Sequence, residues 1–227
     1  MKAALLCLLP LLTTAWWDVG HMLTAAIAEK RLEEVNPYAL THFKELIEGI
    51  NNLVDEKSRT MIESSCWADD IKSYKYNMHL WDAWHFIDNP LVESGVFPVI
   101  NFTETVLNAV NVIDQAHAVL SSNMDRVTAE RALFARYLVH LTGDIHQPLH
   151  GVALYNGSYP KGDAGGNFIK INLLNGTSRY NLYKFWDSGA LRVQNDSYRF
   201  DRPLNSEKMA ELRDYALDLI EEYGQSI

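Results

Sequence analysis

Between residues 140 and 150 the chain reads His-Leu-Thr-Gly-Asp-Ile-His-Gln-Pro-Leu-His, three histidines and an aspartate within eleven positions. Leu133, Tyr137, His140, Leu141 and Asp144 follow three- and four-residue steps, so a helix here aims an imidazole and a carboxylate inward on the face that carries the core. Pro148 cannot continue that helix, and the turn it forces brings His150 back toward the same end. Taken alone, the pattern also fits a hydrogen-bonded His–Asp pair in a core. Further acids and imidazoles stand among bulky apolar residues: His21 after Trp16-Trp17, Asp69 and Asp70 after Trp67, and His85 beside Trp84 and Phe86. Burial of an unpaired carboxylate is costly and demands a cation or a hydrogen-bond partner. Zinc takes Asp and His ligands of this kind, and it brings the pKa of water down to about 7, the chemistry that phosphate ester hydrolysis needs.

Mostly helices must position these groups. Apolar residues at helical spacing predict helices over about 20–34, 37–50, 58–74, 103–122, 126–146 and 205–223, with Val106, Val110, Ile113, Ala116 and Leu120 as the buried face of the fourth. The exception lies near 167–181, where Phe168, Lys170 and Asn172 alternate with Ile169 and Ile171 ahead of Asn175-Gly176, a hairpin turn signal. The expected fold is a single-domain, all-α helical bundle with one small β-hairpin. At 227 residues and 48% hydrophobic composition the chain buries a substantial core, and it shows neither a repeat nor a linker-like shift in composition.

Residues 1–15 carry a lysine, an apolar run and small residues ahead of Ala15, the pattern of a secretory signal peptide, too short to span a bilayer. Residues 16–227 form the expected mature domain. Four Asn-x-Ser/Thr sequons, at Asn101, Asn156, Asn175 and Asn195, agree with secretion. Cys7 leaves with the leader, so Cys66 has no internal disulfide partner. The net charge of −9 becomes more negative still without Lys2, unlike a protein that binds nucleic acid through a basic surface. A phosphate-bearing substrate then requires local compensation, which divalent cations supply.

Six blocks appear in order: Trp-x-x-x-x-His (Trp16, His21), Trp-Ala-Asp (Trp67 to Asp69), His-Phe-Ile-Asp (His85 to Asp88), His-x-x-Gly-Asp-x-x-Gln-Pro-Leu-His (His140 to His150), Gly-Gly-Asn (Gly165 to Asn167) and Trp-Asp (Trp186, Asp187). In these the chain resembles the secreted zinc-dependent class I nucleases, which cleave single-stranded DNA and RNA to 5′-phosphorylated products, remove 3′-phosphates from nucleotides and share a fold with zinc phospholipase C. The resemblance implies three zinc ions: a first held by Asp69, His85, His140 and Asp144, and a third held by the amine and carbonyl of a newly exposed Trp16, His21 and the bridging Asp144. The second would be held by His150, Asp187 and a histidine at the position of Tyr183. It also implies that Lys72 stabilises charge developing on the phosphate, that Asp69 and Asp144 serve catalysis through the metals, and that Phe86 stacks on a nucleobase. Asp88 would hydrogen-bond that base, with Gly165, Gly166 and Asn167 lining its pocket.

Tyr183 is the departure from the family pattern. A phenol with an ordinary pKa of about 10 must lose a proton before it ligates zinc, so a tyrosinate ligand and a weakened or lost second site stand as alternatives. His146 is the one nearby histidine, and the family pattern leaves it outside the metal shell. Relatives also continue through one or two further helices beyond the position of Ile227. Two other readings remain beside the nuclease: a phospholipase of the same fold, which the Trp-Asp at 186–187 disfavours, and a relative that binds metal and nucleotide without turnover.

Overall fold

A computed structural model describes residues 16–94, 107–122, 126–172, 180–193 and 200–224. The leader, Val106, the Asn175-Gly176 turn and the sequons at Asn101 and Asn195 lie outside them. The described residues form eight α-helices: α1 (Asp18–Val35), α2 (Pro37–Glu48), α3 (Met61–Ser64), α4 (Trp67–Asp70), α5 (Ala109–Ser121), α6 (Ala129–Asp144), α7 (Leu182–Asp187) and α8 (Ser206–Tyr223). The all-α expectation holds. Short polar side chains set where the helices begin: Asn36, Asn108, Thr128, Asn181 and Asn205 each accept a hydrogen bond from a first-turn backbone N–H of α2, α5, α6, α7 and α8.

Helices α1 and α6 are the spine. One side of α1 packs on α3 and α8 through Val19, Met22, Leu23, Ile62, Phe200 and Leu212. The far side of α6 packs on α4 and α5 through Ala68, Ile71, Val112, Tyr137 and Leu141, flanked by Trp67, Trp81 and Trp84. Arg136, fully buried in α6, donates to the carbonyl of Ile47 at 2.7 Å and to Asn51 Oδ1 at 2.8 Å, and also to the carbonyl of Ser58. It thereby satisfies the Ile47 carbonyl at the end of α2 and ties that end to the turn at Ser58. Among the described residues no helix is long and apolar enough to cross a membrane.

Two expectations are corrected. The helix foreseen over 58–74 is broken into a 3₁₀ turn (Glu56–Ser58), α3 and α4. The hydroxyls of Ser64 and Ser65 donate to the carbonyls of Met61 and Ile62 at 2.8 and 2.6 Å, competing with the helical ladder. On α5 the buried residues are Ala109, Val112 and Ala116, whereas Val110 points outward at 43% exposure. The hairpin is present, as the antiparallel pair β3 (Lys170–Ile171) and β4 (Tyr180–Asn181), but it is only two residues deep. A parallel pair, β1 (Asn89–Val92) with β2 (Val152–Tyr155), was not expected. It matters for the site because it aligns the chain after Phe86 with the chain after His150, and Ile87 N donates to the carbonyl of His150 at 2.7 Å.

Candidate metal centre

Four separate elements deliver the buried acids and imidazoles to one point between α1 and α6. His21 comes from the first turns of α1 and Asp69 from α4. His85 ends a 3₁₀ turn (Asp82–His85), and His140 and Asp144 lie one turn apart at the C-terminal end of α6. His85 Nδ1 and His140 Nε2 both lie 3.0 Å from Asp144 Oδ2 and 2.9 Å from each other. Asp69 Oδ1 stands 3.7 Å from His85 Nδ1 and 3.8 Å from His140 Nε2. On the other side, His21 stacks on His140 with ring centroids 4.1 Å apart, its Nε2 3.5 Å from Asp144 Oδ1 and 3.6 Å from Asp69 Oδ2. Two overlapping groups result, His21/His140/Asp144 and Asp69/His85/His140, each with ligand atoms close enough together to hold one ion.

The protonation pattern asks for a cation there. His140 Nδ1 faces the carbonyl of Ser65 at 2.5 Å, and a carbonyl only accepts, so this nitrogen carries hydrogen. In the neutral ring, Nε2 then points a lone pair at a carboxylate and at a second imidazole, a repulsive arrangement unless a proton or a metal lies between them. Burial works against a charged His140, yet Asp144 and Asp69 outweigh it and raise the pKa. For the two acids burial is likewise overcome, by Lys72 and His140 at Asp69 and by His140 and His150 at Asp144, and both carboxyls are held well below their ordinary value. Burial pushes His85 down to about 4 and also lowers His21. Both ring nitrogens of His21 and Asp144 Oδ1 are buried with no hydrogen-bond partner among the described residues. Such groups are costly unless something else binds them, and two carboxylates with three neutral imidazoles suit zinc. Lys72 reaches into the same cluster, its ammonium 2.5 Å from Asp69 Oδ1 and its side chain 8% exposed.

The expected second-zinc residues are arranged differently. His150 Nδ1 faces the carbonyl of His85 at 2.6 Å, which leaves Nε2 as the acceptor, and the Tyr183 hydroxyl sits 2.6 Å from it over a stacked ring. Tyr183 therefore donates into the lone pair that a metal would use. Asp187 Oδ1 accepts from Gln147 Nε2 at 2.8 Å, while burial and the charges of Asp69 and Asp144 push its carboxyl up to about 8. Both groups are satisfied internally, and neither His150 nor Asp187 belongs to a metal-competent group among the described residues. These residues do not fit a third ion. Gln147 stands within the family block but had no role assigned to it from the sequence, although a polar side chain held between the helix end and Pro148 was the available signal. His146 stays exposed and bonds to the carbonyl of Thr142, so it takes no part.

Trp16 lies over the end of α6, its indole N–H donating to the carbonyl of Gly143 at 2.9 Å, and Trp17 N donates to the carbonyl of Asp187 at 3.1 Å. These bonds carry residue 16 to the side of the cluster where His21 has its orphaned nitrogens. Next to the centre opens a cleft of about 250 Å³ lined by Asp82, Phe86, Asp88, Leu149, Asn167 and Tyr183, together with Ala164 and Gly165. Phe86, Asp88, Gly165 and Asn167 thus line one cleft, and Gly166 lies behind them against Leu149 and Leu182. Gly165 has φ +60°, and a Cβ there would stand 2.6 Å from the carbonyl oxygen of Leu149, so only glycine closes this wall.

A model of the S1/P1 nuclease family matches residues 16–226. Endonuclease 3 of Arabidopsis thaliana is 26% identical over 81% of this chain and 57% of its own length. Endonuclease 2 of the same plant is 27% identical over 78% of this chain and 57% of its own. For nuclease S1 of Aspergillus oryzae the identity is 29%, over 78% of this chain and 55% of that protein. The chain spans little more than half the length of these relatives. The family match begins at Trp16 and takes in all the clustered histidines and aspartates, and the chain belongs to the S1/P1 nuclease family.

Proposed function

We propose that the mature chain is a secreted, zinc-dependent phosphodiesterase that hydrolyses single-stranded DNA and RNA to 5′-phosphorylated products, removes 3′-phosphates from nucleotides, and works with two ions rather than three. The observation that carries the reading is the convergence of His21, Asp69, His85, His140 and Asp144, with the buried nitrogens of His21 and Asp144 Oδ1 left without hydrogen-bond partners among the described residues. Asp69, His85 and His140 would hold one ion and His21 the other, with Asp144 available to both through its two oxygens and the Trp16 amine added once the leader is removed. When bound, zinc would lower the pKa of water and offset charge on the phosphate oxygens.

The chain's own groups do the rest. The ammonium of Lys72 fixes the rotamer of Asp69 and adds positive charge beside the place where charge develops on phosphorus-bound oxygens. Phe86 offers a face on which a base of any identity stacks, and Asp88 and Asn167 supply polar contacts at its edge. A duplex keeps its bases stacked inside, so only a strand whose base can leave the stack fills this cleft. Secretion rests on the leader pattern at 1–15 and on the family match starting at residue 16.

Purified mature protein is expected to degrade single-stranded DNA and RNA, to lose that activity on chelation and to regain it with zinc. Phosphatidylcholine should remain intact. Hydrolysis of the phospholipid without hydrolysis of either nucleic acid would move the chain to the phospholipase reading, and bound zinc with no turnover of any of them to the non-catalytic one.

A further inference from the structure

The limb of chain that walls the base cleft is cationic in an otherwise acidic protein. Between residues 145 and 186 Asp163 is the sole acid, against Lys161, Lys170, Arg179 and Lys184, while the whole chain carries −9. Asp163 itself is 3% exposed and its Oδ1 accepts from Leu154 N at 2.9 Å, so its charge is turned inward.

The ion pairs mark the same limb. Lys30, Lys44, Lys57, Lys72, Lys75 and Lys208 are each paired with a carboxylate. Lys161, Lys170 and Lys184 are exposed, and none of them has an acidic partner among the described residues. An acidic protein that pairs its other described lysines and leaves these three unpaired offers here a place for an anion to bind without first breaking an ion pair.

Lys170 and Lys184 face a cavity of about 410 Å³ whose walls also include Asn167, Asn172, Tyr180 and Asn181. The cavity shares Asn167 with the base cleft. Asn181 joins the two: its Nδ2 donates to Asn167 Oδ1 at 3.3 Å, and its Oδ1 accepts from Lys184 N at 2.7 Å. A polyanion seated here continues directly from a base held against Phe86.

We propose that this cavity is a backbone subsite for a single-stranded oligonucleotide, in which Lys170 and Lys184 each neutralise a phosphate of the strand that runs on from the base cleft. The inference rests on the nucleic-acid reading above and adds a second, metal-independent source of strand affinity. The asparagine amides supply hydrogen bonds to sugar and phosphate oxygens, contacts that position a strand without reading its sequence.

The test is salt-dependent binding of a short phosphorothioate oligothymidylate to the zinc-loaded protein, followed by fluorescence anisotropy. Each single-strand phosphate contact contributes about 0.7 to the slope of log Kobs against log salt. Lys170→Ala/Lys184→Ala should therefore flatten the slope by about 1.4, and Lys170→Arg/Lys184→Arg should keep it. Lys75→Ala/Lys208→Ala, which removes the same charge from lysines outside the cavity, should leave it alone. An unaltered slope in the Lys170/Lys184 alanine pair, or an equal fall in the Lys75/Lys208 pair, overturns the subsite. Failure of the wild-type protein to bind the oligonucleotide at low salt instead removes the nucleic-acid reading, and the subsite with it.

Discussion

At Asp144 one carboxylate serves two groups of ligands, since Oδ2 faces His85 and His140 while Oδ1 faces His21. Asp144→Asn keeps the shape but removes the charge common to both, so both ions should be lost, as metal analysis after dialysis would register. His85→Ala touches one group only and should remove one ion; loss of both, or of neither, would contradict two overlapping sites. Tyr183 is a sharper case, because its hydroxyl occupies the lone pair of a buried imidazole. Tyr183→Phe strands that nitrogen and should cost about 1–3 kcal/mol in urea denaturation, whereas Tyr183→His should add one equivalent of zinc. An unchanged metal count in Tyr183→His would mean that His150 and Asp187 are unable to ligate for a reason other than the phenol. Helical spacing and apolar neighbours mark His21, Asp69, His85, His140 and Asp144 in the sequence as candidate buried polar groups, and the family resemblance, not the spacing, grouped them as ligands. The Tyr183–His150 and Gln147–Asp187 bonds were not legible there, since each joins residues more than thirty positions apart through side-chain rotamers that no local pattern encodes.

The elements that hold the centre are stitched at their ends. Arg202 donates to Asp18, at the start of α1, at 2.6 Å and to Asp70, at the end of α4, at 2.9 Å, locking together the two helices that present His21 and Asp69. Breaking a buried pair costs about 3 kcal/mol or more, so Asp70→Asn should destabilise by an amount of that order at pH 7. Burial would raise the Asp70 carboxyl, but Arg202 and Lys57 outweigh it and hold the pKa below 3.8. The advantage of the wild-type chain over Asp70→Asn is therefore complete above pH 3.8 and should disappear as pH falls through the folded-state value; a difference that ignores pH would mean the pair contributes nothing. At the cleft wall, Gly165→Ala meets both a left-handed φ and the Leu149 carbonyl, and should lower stability by more than about 1 kcal/mol while weakening base binding. The longer helices were readable from periodicity. The break within 58–74 was not, because Ser64 and Ser65 fit a helical pattern until their hydroxyls bond back to the main chain. Parallel pairing of β1 with β2 depends on α5 and α6 intervening, so it exists only once the bundle does.

At the scale of the molecule, the bundle concentrates two carboxylates and three imidazoles where α1 meets α6, and Lys72 is the fixed cation given there. The acidic balance of the sequence points to a need for local compensation, and with Cys66 a free thiol, packing or an ion must supply what a disulfide would. Without a metal, the centre relies on protonation of His140 to separate Asp144 from its neighbours, and His21 stays unsatisfied. An ion that binds the folded chain and not the unfolded one stabilises it by mass action, about 4 kcal/mol at a free concentration a thousand times Kd. For a domain of this size each kcal/mol moves Tm by roughly 2–4 °C. Calorimetry with and without a chelator should therefore show Tm falling by about 8–16 °C when one such site is emptied, and further when both are. His85→Ala, which keeps one ion, should fall between the loaded and stripped wild-type proteins, and Asp144→Asn should not respond to the chelator at all. Equal Tm for loaded and stripped wild-type protein would mean that the cluster is complete without metal and that the fold, rather than an ion, neutralises these carboxylates.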